Sequence, residues 1–528
     1  MMVQTRNHPK QKPFWHSVDR KVKVIGREFS LKTILTGILL WIVFLLFMGL
    51  VQFSTPDMPD NDGFYHIKMA YLMRTEGLKP DFVWLPLTIL NQREFYNHHF
   101  LYHVALIPFT FGDLVLGAKW AAVFFSSLAF LVVWRLFDRQ KIPYAGLWAL
   151  GLLAVSEAFI FRMSITRALS LSLAVIVLAL HWLLTGKHKR LLFLGFVFVW
   201  FYNAFPLLIG IVGVYVAAVW LVERRLDIRP LLYSAGGIAG GLIINPYFPF
   251  NLIFVVQHIL PKLVDTTAIS VGNEWFPYTT RQLLINSPLA LLVFVSAVLA
   301  LGLADRRMDS RTATGFFLAC LFGLMLFQAR RFVEYFPAFA LIFAAFAWAP
   351  ILTDLRTAEP KLGHGGKKIL GHAVQSHLPA LVMIAILIPM TWTTFQSSKA
   401  SVQGSKPHQL YAGVSAWLEA NTPAGERIFQ SDWDDFPRLF FYNTHNTYLV
   451  GLDPTYMQFY DAHLYDEWVE ITRGRVENPS IKIAENFGAR YIMSDLHHDG
   501  FLNQAERDPN LVEVYRDAEA VVFRVVGE

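Results

Sequence analysis

The chain has 528 residues, 54% of them hydrophobic and 16% charged, with a formal net charge of +6. A soluble protein of this length carries about 25% charged residues, so the composition excludes a soluble globular enzyme and indicates a polytopic membrane protein. The basic excess is a topology signal and not a nucleic-acid surface: residues 396–528 hold 20 acidic and 11 basic side chains, a balance of −9, which leaves +15 on the rest.

In chain order, Lys10, Lys12, Arg20, Lys21, Lys23, Arg27 and Lys32 precede the first apolar run, Thr33–Phe53. The positive-inside rule then places the N-terminal segment, residues 1–32, in the cytoplasm, and the run reads as a retained anchor. Ten further apolar runs follow: Asp113–Phe137, Pro143–Phe161, Ala168–Leu184, Leu191–Tyr202, Leu207–Val222, Leu231–Pro246, Pro288–Leu303, Thr314–Phe327, Phe332–Trp348 and Leu378–Phe395. Basic turns such as RLFDRQK, TGKHKR and DRRMDSR fall on the inner side of this alternation. The expected fold is an α-helical polytopic membrane protein with about eleven spans over residues 33–395. The odd count places residues 396–528 outside, where helical and strand-like patterns alternate as in a small α/β domain. Expected helices there are Ala412–Ala420, Asp461–Thr472 and Ile481–Phe487; expected strands are Arg427–Phe429, Thr447–Val450, Tyr491–Met493 and Val521–Val525. The single cysteine, Cys320, lies in an apolar run and permits no intrachain disulfide.

Two outer loops, residues 54–112 and 248–287, are too long for simple connectors, and long ordered loops usually carry function. Within them FLYHVALIPF and PFNLIFVVQHILPKLV read as amphipathic stretches lying in the membrane interface. The first loop opens with PDMPDNDGFYHIKMA, which places Asp57, Asp60 and Asp62 where the first span leaves the membrane. Asp62 suits the N-cap of a helix that stops near Gly77 and Pro80. A carboxylate at this boundary is partly desolvated, and its raised pKa suits a general base on an acceptor hydroxyl or amide. Either Asp60 or Asp62 fits that role.

This acidic motif, followed by an aromatic–Tyr–His run, resembles the first outer loop of the GT-C membrane glycosyltransferases. Three further stretches resemble the branch that holds the oligosaccharyltransferase catalytic subunit. TAISVGNEWFPYT is similar to its Ser-Val-x-Glu loop and places Glu274 at the acidic position. FQARRFVEYFPAFAL resembles its Arg-bearing outer helix start, and SDWDDF resembles its Trp-Trp-Asp-Tyr-Gly acceptor motif through Trp433 and Asp434. The resemblance implies a polyprenyl-phosphate or polyprenyl-diphosphate sugar as donor. In the branch's metal-dependent form it implies Mn²⁺ or Mg²⁺ on Asp60, Asp62, Glu157 and Glu274. The metal motif is degenerate, because SEAFIFRMSITRALS offers only Glu157 as an acid and adds Arg162 and Arg167. Hard divalent cations take several oxygen ligands, and two arginines oppose one.

Arg162, Arg167, Arg330 and Arg331 all fall at outer ends of spans, at the depth of a lipid-linked phosphate that guanidinium forks bind well. In FYNHHFLYH, His98 and His99, with His66 upstream, suit contacts to acceptor or sugar hydroxyls, as do Glu274, Trp433 and Asp434. His99 and His103 share a helical i, i+4 spacing. The expected activity is transfer of a sugar from the lipid-linked donor to a lipid, glycan or protein acceptor on the outer face of the cell membrane. Protein glycosylation by an oligosaccharyltransferase with a divalent metal is the second expectation. A transporter or non-catalytic membrane scaffold is the rival of another class, disfavoured because SAGGIAGG has no partner repeat.

Overall fold

The computed structural model describes residues 21–24, 27–259, 272–304, 306–357 and 366–526. Lys10, Lys12 and Arg20 of the basic leader lie outside the described residues. So do the end of the amphipathic PFNLIFVVQHILPKLV stretch and Thr267–Val271 before Glu274.

A short antiparallel hairpin, β1 (Lys21–Val24) and β2 (Arg27–Ser30), leads into α1 (Leu31–Gln52). At 22 residues α1 rises about 33 Å, enough to cross a hydrocarbon core of about 30 Å. Leu35, Leu39, Leu46 and Leu50 remain exposed on its outward face, a surface that suits lipid, whereas Phe44, Met48 and Val51 are buried. That inner face packs on α4 (Leu114–Arg139), whose start is capped by Asp113 accepting from the Leu116 N–H at 2.7 Å. Between them lie α2 (Asp62–Thr75) and α3 (Phe100–Leu106), both in the first outer loop.

Among the described residues six helices are long and apolar enough to cross a membrane, and eight segments qualify if each of two bent pairs counts as one span. The sequence pattern suggests about eleven. The difference has a local cause. The expected span Pro143–Phe161 breaks, because Ser156 caps a new helix, α5 (Glu157–Ser164), with its Oγ accepting from Phe159 N–H at 3.2 Å, and the two parts bend by 81°. The runs at α6 (Leu169–Leu184) and Arg190–Phe201 are helical but have only 16 and 12 residues. Twelve residues rise only about 18 Å. They pair with neighbours: α6 lies on α4, and Arg190–Phe201 lies on Arg229–Ile243 while leaving Leu192 and Phe193 exposed. Gly237 lets that last pair approach closely, since a Cβ there would meet the Leu192 carbonyl oxygen at 2.1 Å.

Phe100–Leu106 was expected to face lipid. It is instead a packed element, with Phe100, Tyr102, His103 and Leu106 buried against α2 and Arg190–Phe201. The outer loop beyond α2 forms an aromatic layer in which Phe82 stacks on Phe95 at 4.3 Å and edges onto Trp84.

The C-terminal part folds as a five-stranded mixed sheet of order β4-β3-β5-β7-β6: β3 (Arg427–Gln430), β4 (Thr447–Tyr448), β5 (Tyr491–Asp495), β6 (Leu511–Arg516) and β7 (Ala520–Val525). β3 runs parallel to β4 and β5, while β7 is antiparallel to β5 and β6. Helices Ala412–Asn421, Ala462–Thr472 and Pro479–Phe487 fall where the apolar periodicity places them. β6 escapes the sequence pattern because its inward and outward positions do not alternate and a bulge interrupts it near Val514. The sheet is fastened to the first outer loop by the backbone. Tyr448 N–H donates to the Trp84 carbonyl at 2.8 Å and Ile89 N–H to that of Tyr456 at 3.0 Å, while Trp84 Nε1–H donates to the Thr444 carbonyl at 2.9 Å.

Candidate active site

The acidic loop is held from two sides. Lys119, buried on α4, donates its Nζ hydrogens to the carbonyls of Thr55 and of Asp57, the latter at 3.0 Å. From the C-terminal part, His408 donates its backbone N–H and its Nδ1–H to Asp57 Oδ1 at 2.7 and 2.8 Å. Burial alone would raise Asp57, but the His408 and Thr55 hydrogen bonds outweigh it and hold the carboxyl below its ordinary range. Asp57 is therefore a structural acid.

Asn61 forms the next tie. Its Nδ2–H₂ donates to Asp434 Oδ2 at 2.8 Å, and its Oδ1 accepts from Arg438 Nε at 2.8 Å. Arg438 is only 1% exposed and lies 4.4 Å from the centroid of the Phe64 ring. α2 begins at Asp62, and the residue before it is Asn61, neither of which caps the helix with its side chain. The expected N-cap role of Asp62 is thus corrected. Its carboxylate turns instead to Arg167.

Arg167 is the centre of the site. Its Nε and Nη2 donate to the two oxygens of Asp60 at 2.7 and 3.0 Å, and Nη2 also reaches Asp62 Oδ2 at 2.7 Å. Nη1 donates to Glu274 at 3.4 Å. Gly63 allows the close approach: a Cβ there would meet Met58 Cε at 2.6 Å and Thr166 Cβ at 3.3 Å. Thr166 Oγ1–H in turn donates to the Ala118 carbonyl of α4 at 2.9 Å, which fixes the turn that carries Arg167.

Glu274 lies among three guanidinium groups. Its Oε2 accepts from Arg162 at 2.8 Å, and its Oε1 is 3.4 Å from Arg331. Arg162 also donates to Glu334 at 3.1 Å, a glutamate that is 1% exposed. Arg331 donates to the Tyr202 hydroxyl at 3.2 Å and packs on the Trp275 ring. Burial would raise Glu274, but Arg162, Arg331 and Arg167 together hold it well below the usual carboxylate range. Asp62 goes the other way. Burial, with the charges of Asp60, Asp434 and Glu274, pushes it up to about 7 against the pull of Arg167. Asp434 rises to about 6 by burial and by the charges of Asp432 and Asp60.

A layer of histidines backs the acids. His66 Nδ1 and His103 Nε2 are joined by a hydrogen bond of 2.8 Å, and His66 lies edge-on to His99 at 4.8 Å between centroids. His99 stacks on Tyr202, and His98 stacks on Phe254. Burial, His103 and Arg167 keep His66 neutral, well below its ordinary pKa. The sequence-predicted residues Asp60, Asp62, Arg162, Arg167, Arg331 and Glu274 therefore converge, with His66, His98 and His99 behind them and Asp434 above. Trp433 lies alongside, with its ring 3.8 Å from the position of a Cβ on Gly272.

Two predicted residues are not brought in. Arg330 donates to the Pro277 carbonyl at 3.2 Å and covers Tyr278, tying down its own loop. Glu157 accepts from Ser401 Oγ–H at 2.7 Å, at the first turn of α5. Four residues at the site escaped the sequence reading: Glu334, Asn61, Arg438 and Tyr202. Only Glu334 left a signal, a lone acid in an apolar stretch three residues after Arg331.

A divalent ion does not fit this arrangement. The carboxylates of Asp60, Asp62 and Glu274 converge on the fixed positive charge of Arg167, and Glu157 is directed elsewhere. Among the described residues no group of three His, Cys, Asp or Glu side chains is arranged to hold a metal.

Among solved structures, the chain is similar to the archaeal oligosaccharyltransferase AglB from Archaeoglobus fulgidus, in complex with an inhibitory peptide and a dolichol-phosphate. The TM-score is 0.63 at 13% identity, over 89% of this chain and 71% of that one. It is similar too to ArnT from Cupriavidus metallidurans bound to undecaprenyl phosphate, with a TM-score of 0.55 at 15% identity, over 92% of this chain and 97% of that one. The arabinofuranosyltransferase AftD from Mycobacteria matches 93% of this chain with a TM-score of 0.54 at 14% identity, over 40% of its own length. All three are GT-C glycosyltransferases. This chain has the GT-C fold. No family model matches it, and no curated protein matches it in sequence. Another structure of the Archaeoglobus enzyme is a complex with Zn and sulfate.

Proposed function

We propose that the protein is an integral-membrane glycosyltransferase that takes a sugar from a polyprenyl-phosphate-linked donor on the outer membrane face. The observation that carries this reading is the convergence of Asp60, Asp62, Arg162, Arg167 and Arg331 in one partly buried cluster. Fold likeness at this identity speaks for architecture alone; the residues supply the chemistry. In this reading the N-terminal segment is cytoplasmic and residues 396–528 lie outside; Arg135 and Arg139, which end α4 at the pole opposite the acidic loop, support it.

Asp62 is the base of this scheme. Asp60 has both oxygens on Arg167, whereas Asp62 meets it through Oδ2 alone. The free oxygen of Asp62 takes the proton of the acceptor hydroxyl as that oxygen attacks the anomeric carbon. The bond from the anomeric carbon to the phosphate oxygen breaks, and its electron pair stays on the phosphate. Arg331 and Arg162 stabilise the charge that develops there. A single in-line displacement inverts the anomeric configuration. Asp434 and Trp433, brought in from the C-terminal part, line the acceptor side, and the lipid tail lies between membrane helices.

The test is purified protein in lipid vesicles with radiolabelled polyprenyl-phosphate sugars. Transfer or donor hydrolysis that disappears in Asp62→Asn, and falls strongly in Asp60→Asn, supports the reading. Full activity in both variants overturns it.

A further inference from the structure

The Glu274 carboxylate is an anion already seated among the arginines assigned to the donor phosphate. We propose that Glu274 holds the phosphate seat in the free protein and is displaced by the donor, so that the seat takes a phosphodiester monoanion, a polyprenyl monophosphate sugar, and not a diphosphate. This rests on the reading of Arg162 and Arg331 as phosphate ligands.

The geometry selects Glu274 as the group that leaves. Glu334, the other glutamate on Arg162, is fully enclosed, and Asp60 is gripped at both oxygens by Arg167. Glu274 has a side chain 27% exposed, sits on a one-turn 3₁₀ segment, Asn273–Trp275, with no buried residue, and follows Gly272 in the left-handed region at φ +94°. Its one short contact is to Arg162 at 2.8 Å, and those to Arg167 and Arg331 are long, both 3.4 Å. The Nε–H of Arg162 is buried with no acceptor, a donor that the carboxylate leaves unmet and a tetrahedral phosphate reaches.

Charge then sets the class of ligand. Arg162 is paired with Glu334, and Arg167 with both Asp60 and Asp62, which leaves Arg331 as the cation whose carboxylate partner is Glu274. Partly buried charges are stable only when matched. A phosphodiester carries one negative charge and replaces Glu274 in kind. A diphosphate brings at least one more and leaves it unmatched. On transfer the leaving phosphate becomes a monoester that gains charge, so the arginines hold it more tightly than they hold the donor.

The probes are decaprenyl methyl phosphate, a phosphodiester monoanion, and decaprenyl diphosphate, each competing with radiolabelled decaprenyl phosphate for the protein in nanodiscs. Wild type binds the phosphodiester in preference to the diphosphate. Glu274→Gln keeps the shape and removes the competing charge. It binds the phosphodiester about tenfold tighter, the size of one charge-assisted hydrogen bond, and its preference shifts toward the diphosphate. Glu274→Asp, with a shorter reach, shows an intermediate gain and serves if the Gln variant does not fold. Unchanged or weaker phosphodiester binding in these variants, or a diphosphate preference in wild type, overturns the proposal. Arg331→Gln separates the two claims. Lost binding there, with no gain in the Glu274 variants, rejects the seat-holding role alone, whereas unchanged binding in Arg331→Gln rejects the phosphate site itself.

Discussion

Arg167 grips Asp60 with a two-point fork, Nε to Oδ2 at 2.7 Å and Nη2 to Oδ1 at 3.0 Å, and the same Nη2 reaches Asp62. One planar cation thus sets the separation of two carboxylates. Lysine keeps the charge but presents a single point, so it cannot hold both acids in register. Arg167→Lys lowers the transfer rate by about 100-fold or more, with a smaller change in donor affinity, as read from kcat and KM in vesicles.

Asp62 fixes the pH dependence. Its pKa is raised to about 7, so the basic form is the minor species in acid and dominates above that value. The transfer rate therefore climbs with pH through about 7 and levels off. The sign for stability is opposite. Between the ordinary carboxylate range and about 7, the folded state binds a proton that the unfolded state has lost, so this group makes the protein less stable as pH rises. Asp62→Asn removes that decline from a melting-temperature profile and also removes activity. A rate independent of pH from 5 to 9 contradicts the assignment.

Arg438, Asn61 and Asp434 form a chain that crosses from the C-terminal part to the acidic loop. Arg438→Ala leaves a cavity and unpaired carbonyls in a fully buried place, a loss of about 3–5 kcal/mol measured as a fall in denaturation midpoint. Asn61→Asp sets a carboxylate against Asp434 and is expected to weaken acceptor use before donor binding, a rise in acceptor KM at unchanged donor affinity.

Chelation distinguishes this site from one that depends on an ion. The acids of the first loop already share a guanidinium, so EDTA followed by gel filtration leaves transfer unchanged. Loss of activity restored by Mn²⁺ or Mg²⁺ contradicts the fit described above.

Gly63 lets α2 lie against Thr166. Gly63→Val forces the helix away from the Arg167 turn, because Met58 Cε is 2.6 Å from the added Cβ and Thr166 is 3.3 Å from it. Overpacking of this kind costs about 1–3 kcal/mol. Activity falls further than stability does, since the strain acts on the fork.

The membrane character and most of the C-terminal elements were legible because apolar length and periodicity are local properties of the chain. Helix lengths and breaks were less so, because a cap at Ser156 and the stop of a 12-residue helix at Phe201 depend on local hydrogen bonds and neighbours. Asp60, Asp62, Arg162, Arg167, Arg331 and Glu274 were legible as charges in costly places. What the sequence could not order was which of them meet. Arg330 and Arg331 are adjacent in sequence, yet Arg331 faces Glu274 and Arg330 turns to the Pro277 carbonyl. Asn61 and Arg438 are 377 positions apart and carry no motif, so only the docked C-terminal part reveals their bond.

Lys119 stands near the start of α4 and holds two carbonyls of the strap that runs into Asp60. That side of the strap therefore moves with α4, while its far side is anchored by His408 and Arg438. The position of Asp60 is thus a joint property of α4 and the C-terminal part, and a change in how the two are spaced acts on the acidic strap between them.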